Sequence, residues 1–93
     1  MALSFVWDPA KAAANLHKHR VSFSEATTAF DDPNSLTAHD PDHSASEDRL
    51  VLLGTSTRGR LLVVAHIERG DAIRIISARK AARKERKIYE EEP

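Results

Sequence analysis

The run Leu61-Leu62-Val63-Val64-Ala65-His66-Ile67 is the strongest constraint on this chain. A strand points successive side chains to opposite faces of its sheet, so a strand with one wet face alternates apolar and polar residues. This run is apolar on both faces, and Leu50-Val51-Leu52-Leu53 repeats the pattern. Both read as strands inside a sheet that has to be covered twice. A chain of 93 residues is enough for one domain, residues 1–93, and too short for two. Two ways of covering the second face stay open: the chain's own helices, or a partner protein over part of the sheet.

The remaining elements are read around that sheet. Leu3 to Trp7 alternates as a short strand. Asp8-Pro9 starts a helix running to about His19, since Asp caps and Pro suits the first turn. Ala12, Ala13 and Leu16 are its expected inward face. Ser22-Phe23-Ser24-Glu25 has capping-box spacing, with Val21 stapling onto Ala26, and opens a second helix to about Phe30. Ser35 to Thr37 reads as a short edge strand, and the polar stretch 38–48 as a loop. Strands are expected over Arg49 to Ser56, Arg60 to Arg69 and Ala72 to Ser77, joined by tight turns at Gly59 and Gly70. A terminal helix is expected from about Ala78 to Glu91. The fold class is therefore α+β: a short N-terminal strand, two helices, an antiparallel meander of three to four strands, and a C-terminal helix packed on the sheet.

Charge says more about partners than the net value of zero does. Residues 1–56 carry −4, residues 57–89 carry +7, and Glu90-Glu91-Glu92 adds −3. A basic segment of this density suits a polyanion, although charge alone does not separate RNA, DNA and an acidic protein. There are no cysteines, which excludes disulfides and thiolate metal sites. No stretch has the apolar length of a membrane span, and the N-terminus lacks the pattern of a signal peptide, so a cytoplasmic location without membrane contact is expected.

Several side chains are candidates for chemistry. Arg58 and Arg60 flank a turn, Arg74 shares a strand face with Ala72 and Ile76, and Arg79 is expected to open the terminal helix, near Arg83 and Arg86. Guanidinium groups stay charged, bind phosphate through two N–H groups and stabilise charge growing on a phosphorane. Glu85 falls in the apolar stripe of the terminal helix, where a carboxylate needs a partner; a Lys or His of the first helix is expected there. Lys18 and His19 sit at the end of that helix, and an imidazole suits acid–base work near neutrality. Tyr89, the one tyrosine, can donate a proton, stack on a base or close the core. His39 and His43, with Asp40 and Asp42, form a weak candidate for a metal loop; no metal and no other cofactor is expected. No Ser-His-Asp order and no phosphate-cradling glycine loop is present.

Taken in chain order, these blocks resemble the BrnT family of type II toxin–antitoxin toxins over nearly the whole length. The matching blocks are Phe5-Val6-Trp7-Asp8-Pro9-x-Lys11, Asn15-x-x-Lys18-His19-x-Val21-x-Phe23-x-Glu25-Ala26, Asp31-Asp32-Pro33, Asp42-His43-Ser44 and Glu47-x-Arg49. They continue through Gly54-x-Ser56, Gly59-Arg60-Leu61-Leu62-Val63-Val64, Arg69-Gly70, Arg74 to Arg79, Ala82, Glu85-Arg86 and Tyr89. Arg20 departs from the pattern, where relatives are expected to carry a small or glycine-like helix end.

The resemblance implies a RelE-like fold and metal-independent RNA cleavage that slows translation and growth. It implies a cognate antitoxin with a ribbon-helix-helix DNA-binding domain, through which alone the operator DNA is bound. Carried over, the catalytic positions are His19, Arg74, Arg79, Glu85 and Tyr89, with either His19 or Glu85 as base. Lys18, Arg58 and Arg60 are carried over as RNA-binding positions, and the basic surface of the terminal helix adds Arg83 and Arg86 to them. Two other classes stay open on the residues alone: a non-catalytic basic binding module, and a metal-dependent nuclease using His39 or His43.

Overall fold

The computed structural model describes residues 3–40 and 48–91. The chain runs β1 (Ser4–Val6), α1 (Pro9–His19), α2 (Phe23–Thr28), a 3-10 turn (Ala29–Asp31), β2 (Leu36–His39), β3 (Arg49–Thr55), β4 (Leu61–Arg69), β5 (Ala72–Lys80) and α3 (Arg83–Glu91). The five strands form one sheet in the order β1-β5-β4-β3-β2. β1 lies parallel to β5, and every other pairing is antiparallel. The expected α+β class and meander are present, with β2 as the edge strand. The proposed metal loop lies largely outside the described residues, since Asp42 and His43 fall in 41–47.

The start of α1 follows the sequence signals. The Asp8 carboxylate accepts from Ala10 N at 2.8 Å, and Pro9 occupies the first turn. Its inward face does not. Ala13 is exposed and Leu16 is 47% exposed, while Ala12 packs on the core and Asn15 is buried. The reason lies at the edge of β5. β1 pairs with β5 only along Ala72 to Arg74, so the β5 backbone further on needs another partner. The Asn15 amide supplies it, donating to Ala78 O at 2.8 Å and accepting from Ala78 N at 3.1 Å. It also donates to Val21 O at 2.9 Å, tying the α1–α2 turn to the sheet.

Arg20 ends α1 in the left-handed conformation, φ 60° and ψ 30°, with its N–H donating to Leu16 O. Glycine is the usual residue there, because a Cβ is disfavoured in that region. Arg20→Gly is therefore expected to stabilise the chain by about 1 kcal/mol, seen as a higher urea midpoint at unchanged slope.

α2 is capped by Ser22 Oγ, which accepts from Glu25 N at 3.0 Å, and Val21 and Ala26 are both fully buried beside it. The Glu25 side chain does not return to the cap as a capping box would require; it turns to Arg60 and Ser56. Gly54 of β3 passes so close to the 3-10 turn that a Cβ would stand 2.7 Å from Ala29 O.

The C-terminal segment differs most from expectation. β5 continues to Lys80, so Ala78 and Arg79 are strand residues and α3 begins at Arg83. The spacing of Ala78, Ala81 and Ala82 suits a helix, but Leu62, Val63 and Val64 offer ladder partners to Lys80, Arg79 and Ala78. Tertiary pairing outweighs so weak a local preference.

The sheet has a main core on one face and a smaller one on the other. Val21, Phe23 and Ala26 of the α1–α2 region pack with Leu52, Leu62, Val64 and Ile75 on the first face. On the second, Leu53, Leu61 and Val63 are joined by Leu36, Val51, Ala81 and Tyr89. Only α3 covers that face among the described residues, and it covers one end. Among the described residues this leaves the part of the second face along Val51, Ala65 and Ser77 without a helix over it, although Leu53, Leu61 and Val63 are buried.

Candidate active site on the open sheet face

Register fixes which side chains share the second face. One row across the strands is Leu36, Leu53, Val63 and Arg79; the next is Ala38, Val51, Ala65 and Ser77; a third is Arg49, Ile67, Arg74 and Val6. Arg74 and Arg79 are five positions apart, and in a regular strand an odd separation puts side chains on opposite faces. The ladder shifts at Ala65/His66, where Ser77 and Ile75 pair with consecutive residues and Ile76 is left over. This bulge reverses the alternation and brings both arginines to one face.

Between β2 and α3 the face forms an open cleft of about 790 Å³, floored by Val51, Leu53, Val63 and Ala65. Ser77, Arg79, Glu85 and Ile88 line one side, and Thr37 to Asp40 the other. Ile88 is 54% exposed, so α3 leaves apolar surface at the rim.

Arg79 and Glu85 form a two-pronged pair. Arg79 Nη1 donates to Glu85 Oε1 at 2.8 Å and Nη2 to Oε2 at 2.7 Å. Oε1 also accepts from Ala82 N at 2.7 Å, so Glu85 caps α3 from its first turn. The expected partner from α1 is thus replaced by an arginine of the adjoining strand. The hydrogen bonds from Arg79, opposed by burial and aided by the Ala82 N–H, hold the Glu85 carboxyl below the usual carboxylate range. The same pairing raises Arg79, which stays charged.

Tyr89 is anchored rather than aimed into the cleft. Its hydroxyl donates to Asp32 Oδ2 at 2.5 Å and accepts from Thr55 Oγ1 at 3.2 Å. Asp32 also accepts from Thr55 N at 2.8 Å and Asn34 N at 2.9 Å. Burial raises the Asp32 carboxyl, but its bonds from Tyr89, Thr55 and Asn34 outweigh this and hold it below its ordinary value. The bond to Asp32 in turn raises the Tyr89 phenol. Together these three residues fasten α3 to β3 and the turn before β2.

Arg58 and Arg60 belong to a second cluster around Glu25. Arg60 donates from Nε to Glu25 Oε2 at 2.9 Å, makes a close contact from Nη2 to Oε1, and reaches Arg20 O at 3.0 Å. Ser56 Oγ donates to Glu25 Oε2 at 2.8 Å, and Arg58 Nη1 approaches Oε1 at 3.4 Å. The Arg60 guanidinium is therefore committed to the fold, while the Arg58 side chain remains 68% exposed.

The remaining candidates are scattered. His19 and Lys18 end α1, which packs on β5 with Ala12 in the first-face core, opposite α3. The expected convergence of the first helix with Arg79 and Glu85 is therefore not made. His19 is half-buried and has no hydrogen bond or ion pair among the described residues. Arg83 and Arg86 are exposed on α3, and His39 is exposed at the end of β2. Sequence reasoning missed Lys11, Arg49 and Arg69, which surround Arg74. The parity of Arg49 with Val51 and Leu53 is a signal that places it on the same face.

No helix among the described residues is long and apolar enough to cross a membrane. No curated protein matches the sequence significantly. The fold is similar to the crystal structure of the Brucella abortus ribonuclease toxin BrnT, with a TM-score of 0.69 and 22% identity, over 88% of this chain and 100% of that one. The model of the family described as "Ribonuclease toxin, BrnT, of type II toxin-antitoxin system" matches residues 7–85, most of the chain and all strands but β1. The chain belongs to this BrnT family of type II toxin–antitoxin ribonuclease toxins.

Proposed function

We propose that this chain is a metal-independent endoribonuclease that cuts RNA on the open face of its sheet. The observation that carries this reading is the Arg79–Glu85 pair, which sets a fixed cation beside an ionised carboxylate in an open cleft. The 2′-oxygen of one nucleotide attacks the adjacent phosphorus, the bond from phosphorus to the 5′-oxygen breaks, and the products end in a 2′,3′-cyclic phosphate and a 5′-hydroxyl. The attacking hydroxyl gives up a proton and the leaving oxygen receives one.

Counting donors assigns the roles. Arg79 spends both Nη1 hydrogens on Glu85 and Lys80 O and one Nη2 hydrogen on Glu85. An N–H on Nε and one on Nη2 remain for a phosphate. Glu85 Oε1 already accepts twice, whereas Oε2 accepts once and keeps a lone pair for the 2′-hydroxyl. Arg79 is then the phosphate clamp and Glu85 the base, with Arg74 gripping the strand further along. Tyr89 holds α3 in place through Asp32. Lys18, Arg58, Arg83 and Arg86 draw the strand in by charge.

A base held below the usual carboxylate range stays ionised at neutral pH. The expected profile of log kcat/KM is flat between about pH 5 and 7, and Glu85→Gln is expected to lower kcat by about 10²–10⁴. Full activity of Glu85→Gln with loss of activity in His19→Gln would transfer the role to His19.

The family resemblance supports an antitoxin with a ribbon-helix-helix domain, operator binding only through the complex, and action in the cytoplasm.

A further inference from the structure

A second depression lies on the same face, beyond the row of Ala65 and Ser77. It has a volume of about 380 Å³, with Ile67 and Ile76 in its floor and Lys11, Arg49, Arg69 and Arg74 around it. Lys11, Arg69 and Arg74 are exposed and make no hydrogen bond or ion pair among the described residues. Arg60 and Arg79, by contrast, are each held by a carboxylate. Glu68, a near acid in sequence, turns to His66 on the other face. Three uncompensated cations around an apolar floor suit a ligand with repeated negative charge and flat apolar faces.

We infer that this pocket is a second subsite for single-stranded RNA, holding a phosphate and a base away from the bond that is cut. The inference rests on the reading of the open face as an RNA-cutting site. Arg74 and Arg79 pair with Ile67 and Val63, four residues apart on β4, which sets them roughly 13 Å apart along the sheet at about 3.3 Å per residue. That distance is too long for both to grip one phosphate comfortably, and it matches about four stacked nucleotides at about 3.4 Å each. The bulge at Ile76 therefore lets one strand of RNA meet Arg79 at one end and this pocket at the other.

The test uses the full chain carrying Lys11→Gln and Arg69→Gln, two exposed positions outside the cutting site. A 12-nucleotide RNA made uncleavable by 2′-O-methylation is titrated over a salt series by fluorescence anisotropy. Cleavage of an unmodified 12-mer and trimer is timed in parallel, with thermal melts confirming the fold. The salt dependence is expected to flatten by about 1.4, two contacts at about 0.7 each, and 12-mer kcat/KM to fall about tenfold, with the trimer unchanged. Unchanged slope and 12-mer rates would overturn the subsite. So would equal losses on the trimer, or intact RNA binding with weakened binding of the cognate antitoxin, which would give the pocket to the protein partner. If the unaltered chain neither binds nor cuts RNA, the proposed function itself fails and the subsite with it.

Discussion

Glu25→Ala is expected to lower the melting temperature by about 15 °C. The Glu25 side chain is 4% exposed and receives Ser56, Arg60 and Arg58. Removing one member of a buried pair leaves the other charge uncompensated, which costs about 3–5 kcal/mol. Arg60 keeps some contact with water, so the lower end applies. For a domain of this size each kcal/mol shifts the melting temperature by about 4–8 °C. The loss reaches several elements at once, because Arg60 also bonds to Arg20 O at the end of α1. The pH dependence follows in sign. The hydrogen bond from Arg60 is the largest influence on the Glu25 carboxyl, ahead of the opposing burial, and the net effect lowers it. A carboxyl depressed in the folded state stabilises fully above its unfolded value, about 4.3, and that contribution is lost as pH falls through the folded one. The unaltered chain should therefore lose melting temperature between about pH 4.5 and 3 more steeply than Glu25→Ala does. Parallel curves would show that Glu25 is not the group responsible.

Arg79→Ala is expected to reduce RNA turnover by on the order of 10²–10³, the usual cost of losing one donor to a developing oxyanion. The variant should stay folded, since Glu85 still caps α3 through Ala82 N and Tyr89 still fastens the helix to Asp32. Arg79→Lys keeps the charge but cannot donate to carboxylate and phosphate in two pronged pairs, so it should recover only part of the activity. Induced without antitoxin, Arg79→Ala should no longer arrest growth. A folded Arg79→Ala protein that arrests growth at full strength would remove Arg79 from the mechanism.

How far the sequence carried depended on which signals were local. Asp8-Pro9 and Ser22 mark the starts of α1 and α2 because caps act over three or four residues. The apolar runs of β3 and β4 marked the centre of the sheet and one face short of cover. The start of α3 was misplaced because Ala78 to Ala82 favours a helix only weakly, and pairing with β4 is a distant contact no local pattern records. The inward face of α1 was misread for a similar reason: Asn15 is buried only because β1 stops short along β5. Arg74, Arg79 and Glu85 were legible as chemistry by residue type. An antiparallel meander leads one to expect them on a common surface, but the device that puts Arg74 and Arg79 on one face, a bulge at Ile76 that reverses the strand's alternation, was not legible.

The central claim is that the face carrying Arg79 and Glu85 cuts RNA through the neighbouring 2′-hydroxyl. Mapping both ends produced from a defined RNA, with and without a chelator, tests it most directly. The expected products are a 2′,3′-cyclic phosphate and a 5′-hydroxyl, formed at equal rates in both conditions and absent when the scissile nucleotide is 2′-deoxy. Ends bearing a 3′-hydroxyl and a 5′-phosphate, or cutting that stops with chelator, would contradict the mechanism.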